Sequence, residues 1–157
     1  MRAGPLVQRT AGRGTHPAVK ATLLLADYAR VSDGKLDVLG GGWSLINAAG
    51  PFGFALAGIV QCPWDQTNVQ HTFRLDLLDA DGQGIPGTDG ETVHVEGGFE
   101  AGRPAGLKPG TPLDIPFVVP FGPLELAPGR YEVRLSIDGE SRDGWSVAFT
   151  VVTAPRA

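Results

Sequence analysis

A single cysteine, Cys62, excludes an internal disulfide and any zinc site built from several thiolates, and leans only mildly toward a reducing compartment. No apolar run approaches the length of a membrane helix, and no apolar stretch before Lys20 is long enough for a secretory signal. Cytoplasmic residence without membrane contact is the resulting expectation. No segment repeats apolar residues at three and four positions over ten or more residues, which excludes a substantial helix. Cations are scarce in the body of the chain. Four of the 13 basic residues, Arg2, Arg9, Arg13 and Lys20, fall in the first 20 positions, where none of the 17 acidic residues does. An acidic body disfavours binding to a phosphate backbone, which draws its energy from clustered Lys and Arg that release counterions, so nucleic acid is not an expected partner.

What the chain has in excess is Gly, 23 residues, and Pro, 13, without a three-residue period and mostly between apolar runs. That is turn punctuation in a fold of many strands. The length of 157 residues suits one domain, and 42% apolar content is enough for a core. Residues 1–19 carry no apolar periodicity and are expected to be a flexible leader, residues 20–153 a single domain and residues 154–157 a tail.

The stretch from Ala21 to Ile46 predicts a hairpin. Leu23 to Leu25 are apolar on both faces, as a central strand requires, and Ser32-Asp33-Gly34 places a residue tolerant of left-handed backbone before a glycine, Gly34, that adopts it freely. The return strand is expected from Lys35 to about Ile46, with a bulge or bend at Gly40-Gly41-Gly42 and packing resumed at Trp43. Phe54 to Gln61 is apolar on both faces. Val69, His71, Phe73, Leu75 and Leu77 alternate with polar residues, and Val93, Val95 and Phe99 alternate with Thr92, His94 and Glu96, which turns His94 outward. Leu113 to Phe121 keeps its parity through Pro116 and Pro120, and prolines, which cannot donate to a ladder, assign it to an edge. Tyr131 to Ile137 and Trp145 to Val151 form a last hairpin about Asp138-Gly139.

About eight short strands between Gly/Pro turns predict an all-β fold, a two-sheet antiparallel sandwich. Leu126-Ala127-Pro128-Gly129-Arg130-Tyr131 resembles the tyrosine corner of immunoglobulin-like and related Greek-key sandwiches, which implies that the Tyr131 hydroxyl bonds to upstream backbone. The cysteine pair of antibody domains is absent. LLADYARVSDGKLDVLGGGWSLI resembles the opening hairpin of a family of small bacterial proteins, a domain of unknown function, with TFRLDLLDADG and PGRYEVRLSIDG similar more loosely. The resemblance implies a sandwich and supplies no substrate or catalytic residue.

No motif specifies an activity. Cys62 and His71 are placed to approach across a turn, but a buried thiol and a core-edge histidine account for them without chemistry. The histidines do not converge on a metal: His16 lies in the leader, and His71 and His94 occupy opposite faces. Asp79, Asp81, Asp89 and Glu91 offer oxygen ligands without the remaining ligands and flanking helices of a calcium loop. Asp27, an acid within an apolar strand, is either an anchor for loop backbone or an outward residue near the turn. No catalytic, cofactor or metal residue is assigned. The leading expectation is a non-enzymatic module for protein–protein interaction or self-association, using the edge near Pro116 and Pro120 or the uncharged segment Phe54 to Val60, the latter being either a central strand or an interface. The alternative is a small-ligand or carbohydrate binder that uses the strand-end tryptophans Trp43 and Trp64, and an enzyme whose residues converge from separate loops stands third.

Overall fold

Alternating side chains and turn residues fold into nine strands in the computed structural model, which describes residues 18–153. They are β1 (Lys20–Ser32), β2 (Lys35–Gly41), β3 (Leu45–Asn47), β4 (Phe52–Cys62), β5 (Gln70–Asp79), β6 (His94–Glu100), β7 (Leu113–Leu124), β8 (Gly129–Ile137) and β9 (Ser146–Val152), with a 3-10 turn at Trp64–Gln66. Four strands make one sheet in the order β2-β1-β4-β7, and five make the other in the order β3-β9-β8-β5-β6. The core lies between them, with Leu25, Leu56 and Phe121 from the first sheet against Leu75, Leu135 and Phe149 from the second. The protein is therefore an all-β two-sheet sandwich.

The expected leader, apart from its last two residues, and the tail at 154–157 lie outside the described residues. Val19 is buried against the core, so the packed domain begins before the expected boundary at Lys20.

Asp33 and Gly34 both take positive φ, 51° and 67°, between the paired residues Ser32 and Lys35. That is the backbone of a two-residue turn whose twist suits a hairpin. The return strand is shorter than expected. It ends at Gly41, after Gly40 takes φ 58°, and the chain crosses to the other sheet, where β3 pairs parallel with β9. What alternation presents as one strand to Ile46 is thus two strands in two sheets. The count is nine rather than eight, and one pairing is parallel.

The apolar segment Phe54 to Val60 belongs to β4, paired on both sides by β1 and β7, so it is a central strand. The proline-bearing β7 is an edge of its sheet. Pro116 and Pro120 also deny a foreign strand donors there.

The Tyr131 hydroxyl donates to the Ala127 carbonyl at 2.7 Å across Pro128-Gly129, and its ring stacks on Phe149. Tyr131→Phe keeps the stack and orphans only that bond, so a loss of about 1 kcal/mol in denaturant unfolding is expected. An unchanged midpoint would remove the bond from the account of the corner.

Candidate functional site

Three connections converge at one end of the sandwich: β4–β5, β6–β7 and β8–β9. His71, in the second position of β5, points inward there and is buried. Its Nδ1 lies 2.7 Å from Asp138 Oδ2 and its Nε2 lies 2.8 Å from the Gln66 carbonyl. A carboxylate and a carbonyl only accept, so both bonds form together only when both ring nitrogens carry protons. Burial, the largest single influence, opposes the charged ring. The hydrogen bonds to Asp138 and Gln66 and the charge of Asp138 together outweigh it and raise the His71 pKa. Asp138 shifts the other way: the bond from His71, then that from the Thr72 amide, hold its carboxyl below the usual value.

Cys62 and His71 do meet, on one carbonyl. Cys62 Sγ lies 3.4 Å from Gln66 O and donates to it, while burial, and then the charge of Asp65, raise the thiol pKa. The histidine has no nitrogen free to take the thiol proton. The arrangement fastens a corner and does not activate a nucleophile.

Trp64 belongs to the same end. The Arg103 guanidinium lies over its ring at 4.1 Å, donates to its carbonyl at 2.8 Å and bonds the Thr67 hydroxyl, which itself donates to Trp64 O at 2.6 Å. Arg103 therefore ties the β6–β7 loop to the β4–β5 turn through a cation–π contact and two hydrogen bonds. Nothing local in the sequence signals this pairing across 39 residues. Trp43 packs edge-on against Phe54 and Phe149, each at 5.9 Å, and its Nε1 is buried without a hydrogen-bond partner. Neither tryptophan is among the residues that line the cavities beside Thr72 and Gly139, between Val60 and Ile137, or beside Glu132 and Ser146.

The remaining candidates are surface features. Asp79 Oδ1 accepts from the amides of Asp81 and Gln83, and Asp89 Oδ1 from that of Glu91, so these carboxylates brace their own loops. Among the described residues no group of three or more His, Cys, Asp and Glu gathers as a metal site. His94 faces outward beside Glu96. Asp27 is exposed, and its carboxylate covers the place that a side chain at Gly40 would occupy. Gly40→Ala meets both that carboxylate and a left-handed backbone, for an expected cost of about 1–2 kcal/mol. Asp27→Ala should recover the part due to the collision. Two strictly additive losses in a double-mutant cycle would show that the two positions do not touch.

The two outer faces of the sandwich differ in kind. On the five-stranded sheet Arg74 pairs with Asp76 at 2.9 Å and Arg134 with Glu132 at 3.0 Å, as a solvated face should. On the four-stranded sheet the cross-strand rows are Thr22, Ile59 and Pro116, then Leu24, Ala57 and Val118, then Ala26, Ala55 and Pro120. No charge interrupts them. Ala29, Leu36 and Val38 extend this cluster, although strict alternation groups Ala29 with the core residue Leu25. The alternation slips by one at Asp27, opposite Gly40, where Val38 settles over the bare backbone of Gly41. Ile59 and Val31, 38% and 45% exposed, complete an apolar surface over a floor of alanines.

Among the described residues no helix is long and apolar enough to cross a membrane. None of the curated proteins matches the chain. A family model described as a family of unknown function (DUF6941) matches residues 21–151, a span that takes in the nine strands but for the first residue of β1 and the last of β9, and the chain belongs to that family.

Proposed function

We propose that the chain is a non-enzymatic interaction module that associates through the outer face of its four-stranded sheet, with a second copy of itself as the partner. The observation that carries this reading is the contrast between the faces: ion pairs lie on one, while the other offers Leu24, Leu36, Val38, Ile59 and Val118 over alanines, with no charge in the three rows from Thr22 to Ala26 and the charged pair Lys20 and Asp114 only in the row beyond them. Contiguous apolar surface of this kind marks association sites. Pairing of this face with its own copy needs only a two-fold axis, the commonest closed symmetry of soluble oligomers. The β7 edge, with its two prolines, is a poor template for strand addition, which favours the face over the edge. Cys62 Sγ and His71 Nε2 share the Gln66 carbonyl while His71 Nδ1 bonds Asp138, which supports a structural role for the one cluster that resembles catalytic machinery.

Val38→Lys and Val118→Lys place cations on the face, one on each of its outer strands β2 and β7, without entering the core between the sheets. Sedimentation of the full chain should show two copies for the native sequence and one for either variant, with sheet signal retained in circular dichroism. A native chain that sediments as one copy throughout a concentration series would end the proposal.

A further inference from the structure

We propose that the seam between the edge strands β6 and β7 binds a small apolar molecule, an aromatic ring or short alkyl chain of about the size of benzene. A cavity of about 140 Å³ lies there between the sheets. Its floor is Val60, Leu135 and Ile137, all buried, and its rim is Phe99, Ile115 and Phe117, all partly exposed. It therefore opens sideways to solvent. β6 and β7 are edges of different sheets, so no ladder of main-chain hydrogen bonds closes the entrance.

Two inward-facing glycines account for the space. Gly58 stands opposite Phe117 and Gly97 opposite Phe73. A Cβ at Gly58 would stand 2.6 Å from the Phe117 ring, and one at Gly97 would stand 3.0 Å from that of Phe73. Each ring leans over a bare backbone position instead of filling the seam. Protein interiors hold few voids larger than a water molecule, and a void of this size forfeits the dispersion contacts of its walls. Water is a poor occupant, because it needs two to four polar partners and these walls are almost wholly carbon. A dry apolar cavity of about 150 Å³ takes benzene, which sets the class of ligand here: uncharged, without a polar group on the inserted part.

Benzene titrated into the full chain is the test. The methyl resonances of Val60, Ile115, Leu135 and Ile137 should shift saturably, and the melting temperature should rise with benzene concentration because the ligand binds only the folded state. Ile115→Trp fills the cavity from its rim and should weaken benzene binding at least tenfold. In the native chain, which needs no substitution, absent shifts or non-saturating shifts spread equally over exposed Leu39 and Leu45 would overturn the proposal. Undiminished binding by a folded Ile115→Trp chain would overturn it as well.

Discussion

Phe149→Ala is expected to destabilise the sandwich by about 3–5 kcal/mol, the range for deleting a buried phenylalanine ring. Phe149 is fully buried in β9 and sits where the sheets meet. Its ring lies 5.4 Å from that of Phe54 on the opposite sheet, 5.7 Å from Tyr131 on the neighbouring strand and 5.9 Å from Trp43 at the crossover. Truncation opens a cavity touching all three, and none can close it without leaving its own contacts. Domains are stable by only about 5–15 kcal/mol, so this substitution should remove a large share of the total. The denaturant midpoint should fall with its slope unchanged. A loss below about 1 kcal/mol would mean that the ring does not join the two sheets.

His71→Phe carries the second largest expected effect, and its signature is pH dependence. At mildly acidic pH the substitution removes two charge-assisted hydrogen bonds while an aromatic ring can still stack on Phe99. A loss of about 2–3 kcal/mol is expected, toward the low side because Asp138 is half exposed and solvent screens it. The sign of the pH dependence follows from the shifts. The His71 pKa is raised on folding, so its contribution is complete below the unfolded value of about 6.5 and is lost as pH rises through the folded value. The Asp138 pKa is lowered, so its contribution is complete above the usual carboxylate value and is lost as pH falls through the folded one. The native chain should therefore lose stability as pH rises from about 6.5 through the folded His71 value, and His71→Phe should flatten that slope. The thiol of Cys62 is raised from an ordinary value that already lies above that of histidine. Equal slopes in the two proteins would show that His71 is not doubly protonated in the fold.

The elements that the sequence makes legible are those whose signal is local. Ser32-Asp33-Gly34 marks its turn because positive φ restricts which residues can stand there, and β5 and β8 follow from period-two alternation. The prolines of β7 identify an edge because the missing donors leave few other positions. The crossover at Gly42 to Ser44 is not legible in this way. Glycines permit a bulge within a strand and a departure from it equally well, and the parallel pairing of β3 with β9 joins residues about a hundred positions apart. His71 shows the same division. Its inward direction is readable from parity, whereas Asp138, 67 residues away, is identifiable beforehand only as a turn residue. The apolarity of both faces of β4 is visible in Phe54 to Val60 and marks either a central strand or an interface, and pairing with β1 and β7 makes it a central strand. It does not reveal that Ala29 and Val38 join Ala55 and Ala57 outside, because that depends on the slip at Asp27 and Gly40.

The outer face of the four-stranded sheet is the centre of the functional account, and solvent paramagnetic relaxation of methyl groups in the full chain tests it most directly. The methyls of Leu24, Leu36, Val38 and Val118 should be shielded from a soluble paramagnet at high protein concentration and gain relaxation on dilution, while those of Leu45 and Val69, exposed elsewhere, relax strongly throughout. Relaxation of the face methyls that is unchanged by dilution would contradict self-association through this face.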